Sequence, residues 1–264
     1  MLVRKESKDL PVIAFSRGRV FGDFRVKWRA CAPVLGKVLE VLSKHGVRPW
    51  NIMAHYEGDE GVSFIFADMS EVIGDVNAII DEITALPDVL DVDFWGPQPD
   101  YVYEAFGFPT TISKTEEVIV VVLECFIEML QGVKKYFGSS GEVFLWYLAR
   151  EFGSSAAKLL DAKLEGFSVE ERIKAHLALL FSSGWGRFKL KGIDLTKRFV
   201  EVKAKDIFEV RHRKSSSKAP QCLFTRGYLT GMMSTHFEVR GVRVEEVSCE
   251  AKGDDSCLFV CHLG

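Results

Sequence analysis

Six cysteines stand at positions 31, 125, 222, 249, 257 and 261, and four of them fall in the last 43 residues. In a reducing compartment, clustered cysteines point to metal or redox chemistry before disulfides. Cys249 and Cys257 flank Lys252-Gly253-Asp254-Asp255, a turn centred on Gly253. A hairpin closing there sets the two cysteines directly opposite each other, with β-carbons roughly 4.5–5.5 Å apart. Two thiolates at that separation can share a zinc ion, whose bonds to sulfur are about 2.3 Å. A disulfide wants roughly 3.5–4.5 Å between β-carbons, so spacing alone leaves both chemistries open.

Further ligands must come from nearby. Cys261 is four residues past Cys257. On a regular strand it shares the face of Cys257 but lies roughly 13 Å away, beyond the reach of one tetrahedral ion. It reads as a small buried apolar side chain. His262 points to the other face and reads as a surface histidine. Cys222 opens an expected helix 27 residues before Cys249, where the helix N-terminus favours a thiolate. Glu246 precedes Cys249 by three residues, an odd offset that turns it away on a regular strand. A bulge or an irregular strand start is needed to bring it in.

The second candidate site is apolar. Aromatics are dense, with 20 Phe, 5 Trp and 6 Tyr. Phe144, Trp146, Tyr147, Phe181, Trp185, Phe188 and Tyr228 could line a ligand pocket or simply fill a core. His176 sits inside the apolar stretch Ile173–Phe181. It reads first as a hydrogen-bonded core histidine and second as a ligand contact.

These residues need elements to hold them. Residues 12–29 alternate loosely around Gly18 and Gly22, as a strand or hairpin does. Pro33 opens a helix with Val34, Leu35, Val38, Leu39 and Leu42 on one face, stopped by Gly46. Asn51–Tyr56 and Val62–Asp68 flank the turn Glu57-Gly58-Asp59-Glu60, a hairpin. A second helix runs from Ser70, an N-cap candidate, to Ala85, and Val89–Trp95 follows as a strand. The order is βαββαβ, the ferredoxin-like split pattern. Gly96-Pro97-Gln98-Pro99-Asp100 reads as linker. Beyond it, helices are expected over Glu116–Phe137, Glu142–Phe152, Ser154–Leu164 (with Gly153 as a break) and Glu170–Phe181. Strands are expected at Gly186–Lys191, Phe199–Val202 and Phe208–His212. A helix over Gln221–Thr235 and strands over Val239–Val247 and Ser256–His262 complete the chain. The domains are thus 1–97, a linker 98–114, and 115–264, in an α+β protein with a mixed α/β second domain and an antiparallel sheet.

Composition bounds the function. Net charge is -3 and charged residues make up 27%, without the basic surplus of a dedicated nucleic-acid binder. The basic stretch Arg211-His212-Arg213-Lys214-Ser215-Ser216-Ser217-Lys218 reads as a solvated loop. The N-terminus lacks an apolar signal region, and the most apolar run, Val118–Leu123, is far short of the roughly 20 residues a membrane span needs. The expectation is a cytoplasmic protein. Two Asn and three Gln in 264 residues resemble thermophile usage.

Two resemblances extend this reading. Ala32-Pro33-Val34-Leu35-Gly36-Lys37-Val38-Leu39-Glu40-Val41-Leu42-Ser43-Lys44-His45-Gly46-Val47 resembles the first helix of ACT domains, small ligand-sensing modules, and the match covers about residues 12–97. Val34 stands where such domains often carry glycine, which counts against amino-acid binding at that loop. A packing or dimerisation domain without ligand is the other reading. Cys222, Glu246-Val247-Ser248-Cys249 and Cys257 are similar to the zinc site of 4-vinyl reductase (4VR) domains, over about residues 115–263. Gly184-Trp185-Gly186, Gly227-Tyr228-Leu229-Thr230-Gly231 and Ala251–Phe259 add to the likeness. The resemblance implies Glu246 as fourth ligand of one Zn²⁺ and a closed, structural site. It also implies a small hydrophobic or aromatic ligand near Trp185, with Phe144, Trp146, Phe181, Tyr228 and His176 as further candidates. No catalytic residue is assigned. The function expected is a non-enzymatic, ligand-sensing regulator, a homodimer that signals through a partner protein. A scaffold or assembly factor resembling vesicle-tethering subunits is the alternative. A reductase is a third reading and DNA binding a fourth.

Overall fold

The computed structural model describes residues 10, 12–29, 33–72, 74–112, 114–211 and 219–264. Cys31 and the basic stretch 212–218 lie outside them. The chain divides into two compact units, 1–119 and 120–264.

The first unit begins with one long strand, β1 (Ile13–Arg29), then α1 (Val34–Lys44), β2 (Arg48–Glu57), β3 (Glu60–Asp68), α2 (Val76–Thr84) and β4 (Val89–Tyr103). The sheet is antiparallel in the order β2-β3-β1-β4, which is the expected split βαββαβ pattern. Period-2 alternation puts Phe24, Val26, Trp28, Ile65 and Ala67 on the helix side. There they bury against Val34, Val38 and Leu42 of α1 and Ile79 and Ile83 of α2. Trp28 lies flat over Gly61, its cross-strand partner, where a Cβ would sit 2.5 Å from the indole.

Two boundaries differ from the sequence reading. The second helix starts at Val76, capped by the Asp75 carboxylate, which accepts the Asn77 N–H. The Ser70 hydroxyl oxygen instead accepts the Val20 N–H. The expected linker is also not a linker at its start: Gln98–Tyr103 continue β4, and Thr111–Ile112 (β5) pairs with Glu116–Glu117 (β6) in the same unit. β4 is an edge strand, where Pro97 and Pro99 need give up no ladder hydrogen bond on the open side.

Val118–Val122, which spans the boundary between the two units, is irregular rather than helical, because a run of β-branched side chains is crowded in a helix. One long helix follows, α3 (Leu123–Lys163), kinked at Gly138, whose φ of 56 and ψ of -135 suit glycine. Then come α4 (Val169–Ser182), β7 (Arg187–Asp194), β8 (Phe199–Lys205), α5 (Leu223–His236), β9 (Arg243–Ser248), a single 3₁₀ turn (Glu250–Lys252) and β10 (Cys257–His262). The antiparallel sheet runs β7-β8-β10-β9. Val200, Val202 and Ala204 stand opposite Cys261, Phe259 and Cys257, and this buried face carries the core.

Gly153 does not break α3. It marks where α3 and α5 touch: a Cβ on Gly153 would lie 2.1 Å from the Tyr228 carbonyl oxygen. A Cβ on Gly231 would lie 1.9 Å from the Arg150 carbonyl oxygen, and one on Gly227 would lie 2.5 Å from that of Trp146. The strand expected at Phe208–His212 is not formed: residues 208–211 are a turn closed by hydrogen bonds from the Val210 and Arg211 N–H groups to the Ile207 carbonyl, and His212 lies outside the described residues.

Candidate metal centre

The β9–β10 hairpin and the start of α5 meet at the cysteines. Leu258 pairs with Ser248 as the last ladder pair, and Cys257 and Cys249 are the residues that follow it at the turn end of the hairpin. On the other side of that pair the register slips: Phe259 pairs with Glu246, which leaves Val247 as the extra residue of a β-bulge. Val247 is exposed, Glu246 is buried, and the slip brings Glu246 and Cys249 to the same side. The bulge supplies the irregularity that an odd offset of three residues demands. Cys222 joins as the N-cap residue of α5.

The four donor atoms of Cys222, Glu246, Cys249 and Cys257 lie within 4.8 Å of one another, and all four residues are buried. The Cys222 and Cys257 sulfurs are 3.7 Å apart. None of the five described cysteines forms a disulfide. The Cys222 N–H donates to Glu246 Oε2 at 3.0 Å, and Glu250 N–H donates to the Cys257 sulfur at 3.4 Å. The Asp254 carboxylate accepts the Cys249 N–H at 2.8 Å and fixes the turn.

Four acids packed this closely cannot all ionise without a cation. The hydrogen bond between Cys222 and Cys249 splits them. It pushes the Cys222 thiol far above its ordinary range, helped by Cys257 and burial, and pulls Cys249 down to about 4. Burial, then Cys249, raises Glu246 to about 8. Glu246 Oε1 is buried and has no hydrogen-bond partner among the described residues. A divalent cation answers both facts, since it replaces the protons on the thiols and gives Oε1 a partner.

The sequence misses Glu209. Its carboxylate accepts the Phe224 N–H at 2.8 Å, and the Thr225 N–H and hydroxyl at 2.8 and 2.6 Å. It therefore caps α5 from the 207–211 turn. The helix N-terminus that should favour a Cys222 thiolate is already satisfied, and the Glu209 charge instead adds to what raises the thiol. Spacing gives no hint of this, because the capping residue lies in another element. Cys261 is fully buried with its thiol pushed up to about 12 by burial, and His262 is exposed.

The aromatic candidates separate. Gly184 follows the end of α4 with a φ of 82, and the Trp185 N–H reaches back to the Leu180 carbonyl, a closure that favours glycine. Trp185 thereby packs against Tyr228, Phe208, Phe152 and Phe224, with ring centroids 4.9 to 6.0 Å away. Tyr228 and His176 are buried. Trp146 is half-buried against Tyr147. Phe144 and Phe181, expected as pocket walls, are 59% and 58% exposed, because they fall on the solvent side of α3 and α4. A cleft of about 40 Å³ lies elsewhere, between Ile127, Leu130, Leu145, Leu223 and Phe224, with Lys134 and Glu209 beside it, and none of the six candidates lines it.

His176 belongs to a buried hydrogen-bond chain. The Tyr228 hydroxyl is 2.7 Å from His176 Nε2, His176 Nδ1 is 3.0 Å from His236 Nε2, and His236 Nδ1 is 2.8 Å from Asp161. With both rings neutral the protons run one way: Tyr228 to His176 to His236 to Asp161, which also meets Arg172. Burial, then the neighbouring His236, lowers His176 to about 3. Burial also lowers His236, against the pull of Asp161.

Residues 200–263 match the V4R domain model and include all four donor residues. No curated protein sequence matches the chain. The phenol-responsive sensory domain of the transcription activator PoxR, solved with phenol, is similar at 17% identity. That match covers 56% of this chain and 77% of that one, with a TM-score of 0.50. A vinyl-4-reductase family protein from Methanocaldococcus jannaschii is similar at 18% identity over 56% of this chain and 98% of that one, TM-score 0.35. An ACT domain from a GTP pyrophosphokinase of Chlorobium tepidum is similar at 11% identity over 29% of this chain and 99% of that one, TM-score 0.26. Among the described residues no helix is long and apolar enough to cross a membrane. Residues 200–263 of the second unit are thus similar to the V4R domain, and the four donor residues lie within that match.

Proposed function

We propose that this chain is a non-enzymatic, small-molecule-sensing regulator whose C-terminal unit is held by a structural zinc ion on Cys222, Glu246, Cys249 and Cys257. The observation that carries the reading is the buried four-donor cluster, inside the residues that match the V4R domain. Three sulfurs and one carboxylate are a donor set zinc takes, and four protein donors fill a tetrahedral site without room for a reacting water. Bound there, zinc supplies the positive charge that keeps the thiols ionised. The chain's own residues do the rest: Glu246 ties the Cys222 N–H to β9, Glu209 caps α5, and the Val247 bulge aims the carboxylate.

The sensing part rests on the V4R domain and on its likeness in fold to the PoxR sensory domain, which is phenol-responsive. A small hydrophobic or aromatic ligand is the proposed effector, with Trp185, Tyr228 and His176 as its contacts. The first unit is the proposed ACT-like partner module, in a cytoplasmic homodimer that passes its signal to another protein. Phe144, Leu148, Phe152 and Leu159 form an exposed apolar stripe on α3, with Phe181 exposed on α4. That stripe supports dimerisation, and it is the specific observation behind a second reading, a scaffold or assembly factor.

Titration of the full-length, zinc-loaded chain with phenol and short alkylphenols tests the first reading. It predicts a saturable rise in melting temperature that Trp185→Ala abolishes. No rise with any of them, together with a stable dimer that buries the α3 stripe, would overturn sensing in favour of the scaffold.

A further inference from the structure

The open face of the N-terminal sheet, away from its helices, holds a second small core of Phe21, Phe66 and Val102, with Ala14 and Trp95 packed on it. Asp23 stands in the same layer, since it pairs across the strands with Phe66 on one side and Trp95 on the other. It is fully buried. After β4 the chain folds back over this face. The Glu104 N–H donates to the Val12 carbonyl, and the Ala105 N–H donates to Asp23 Oδ2 at 3.0 Å. The Glu104 carboxylate curls under the same segment, its Oε1 accepting the Phe106 and Gly107 N–H groups at 2.8 and 2.9 Å.

One oxygen of each acid is left over. Among the described residues, Asp23 Oδ1 and Glu104 Oε2 are buried and have no donor partner, yet the two side chains are within hydrogen-bonding reach of each other. Two carboxylates cannot form that bond, whereas a carboxylic acid and a carboxylate can. Among the described residues no cation pairs with either acid. Arg25, the next residue on that face of β1, is held by Asp91 and Asp93, and Arg19 is held by Asp68. Across from Asp23 on β3 and β4 stand Phe66 and Trp95, so among the described residues Glu104 is the ionisable group that faces it.

We propose that Asp23 and Glu104 share one proton, and that this proton is a latch fastening residues 104–107 over the open face of the N-terminal sheet. Burial raises Asp23 to about 7, with the Glu104 charge adding to it and the Ala105 hydrogen bond opposing it, and burial raises Glu104 as well. A carboxyl whose folded pKa lies above its unfolded value of 3.8 stabilises the fold fully below 3.8. That contribution is lost as pH rises through about 7. The latch is therefore closed in mild acid and loosens near neutrality, which would give this unit a response to pH independent of any ligand of the second unit.

Hydrogen exchange on the full-length chain, corrected for the intrinsic pH dependence of exchange, reads the latch at the Ala105, Phe106 and Gly107 amides. Their protection should fall between about pH 5 and about pH 7, by up to about tenfold per pH unit for one proton, and level off above. In Asp23→Asn, whose amide donates to Glu104 without a titrating proton, protection should stay flat. A flat wild-type profile, or the same slope in the variant, would overturn the proposal. Should Asp23→Asn fail to fold, Glu104→Gln gives the same comparison. Infrared difference spectra of the wild type across this range should also show a protonated carboxyl band that either variant loses, and no such band would equally count against the latch.

Discussion

At the scale of single residues, the buried chain from Tyr228 through His176 and His236 to Asp161 makes the second unit sensitive to acid. A histidine with a folded pKa below its ordinary 6.5 stabilises the fold above 6.5, and the contribution is lost as pH falls toward the folded value, about 3 for His176. The expected slope is up to about 1.4 kcal/mol of stability per pH unit between those limits, since one proton is involved. Urea unfolding at several pH values would show it, and His176→Phe should reduce it to the part that His236 contributes, while leaving the Tyr228 hydroxyl without its histidine partner. An equal slope in wild type and variant would contradict the assignment. The sequence exposes one end of this chain, because an apolar helix around His176 calls for a hydrogen-bonded histidine. Its partners at 228, 236 and 161 are 52, 60 and 15 positions away in sequence, and no local pattern joins them. Glu209 was hidden for the same reason, while Cys249 and Cys257 were legible because a hairpin makes partners out of residues close in sequence.

At the scale of elements, the contact between α3 and α5 depends on having no side chain at Gly153, Gly227 and Gly231. Gly231→Ala would place a Cβ 1.9 Å from the backbone oxygen of Arg150, so a helix must shift. The expected cost is about 1–3 kcal/mol or more, as for other overpacked cores. Gly132, also in α3, has nothing within 4 Å of its hypothetical Cβ. Gly132→Ala should stabilise by roughly 0.5–1 kcal/mol through helix propensity alone. Thermal unfolding of the two variants checks the opposite signs, and a neutral Gly231→Ala would mean that the helices are not held this close. Apolar periodicity finds α1, the hairpin of β2 and β3, and β10 from the sequence. It cannot distinguish a glycine that breaks a helix from one that lets a second helix approach, which is how Gly153 misleads. It fails also at Val118–Val122, where the residues are apolar enough for a helix and too β-branched to form one.

At the scale of the molecule, two units with separate cores carry two separate chemistries. The first has a carboxyl pair on the open face of its sheet. The second has the cysteine cluster where α5 meets the last hairpin. The βαββαβ order of the first unit was legible because each of its elements shows a clear period. Its end was not, because two prolines within three residues look like a linker unless the strand is known to lie at the edge of a sheet. The central claim is that zinc holds the second unit together through Cys222, Glu246, Cys249 and Cys257. Elemental analysis of the full-length chain, purified without added metal, tests it most directly when run beside Cys257→Ser. About one zinc per chain in the wild type and none in the variant is the result expected from four donors closing one tetrahedral site. A wild-type chain that folds without metal, or a Cys257→Ser chain that keeps its zinc, would contradict it.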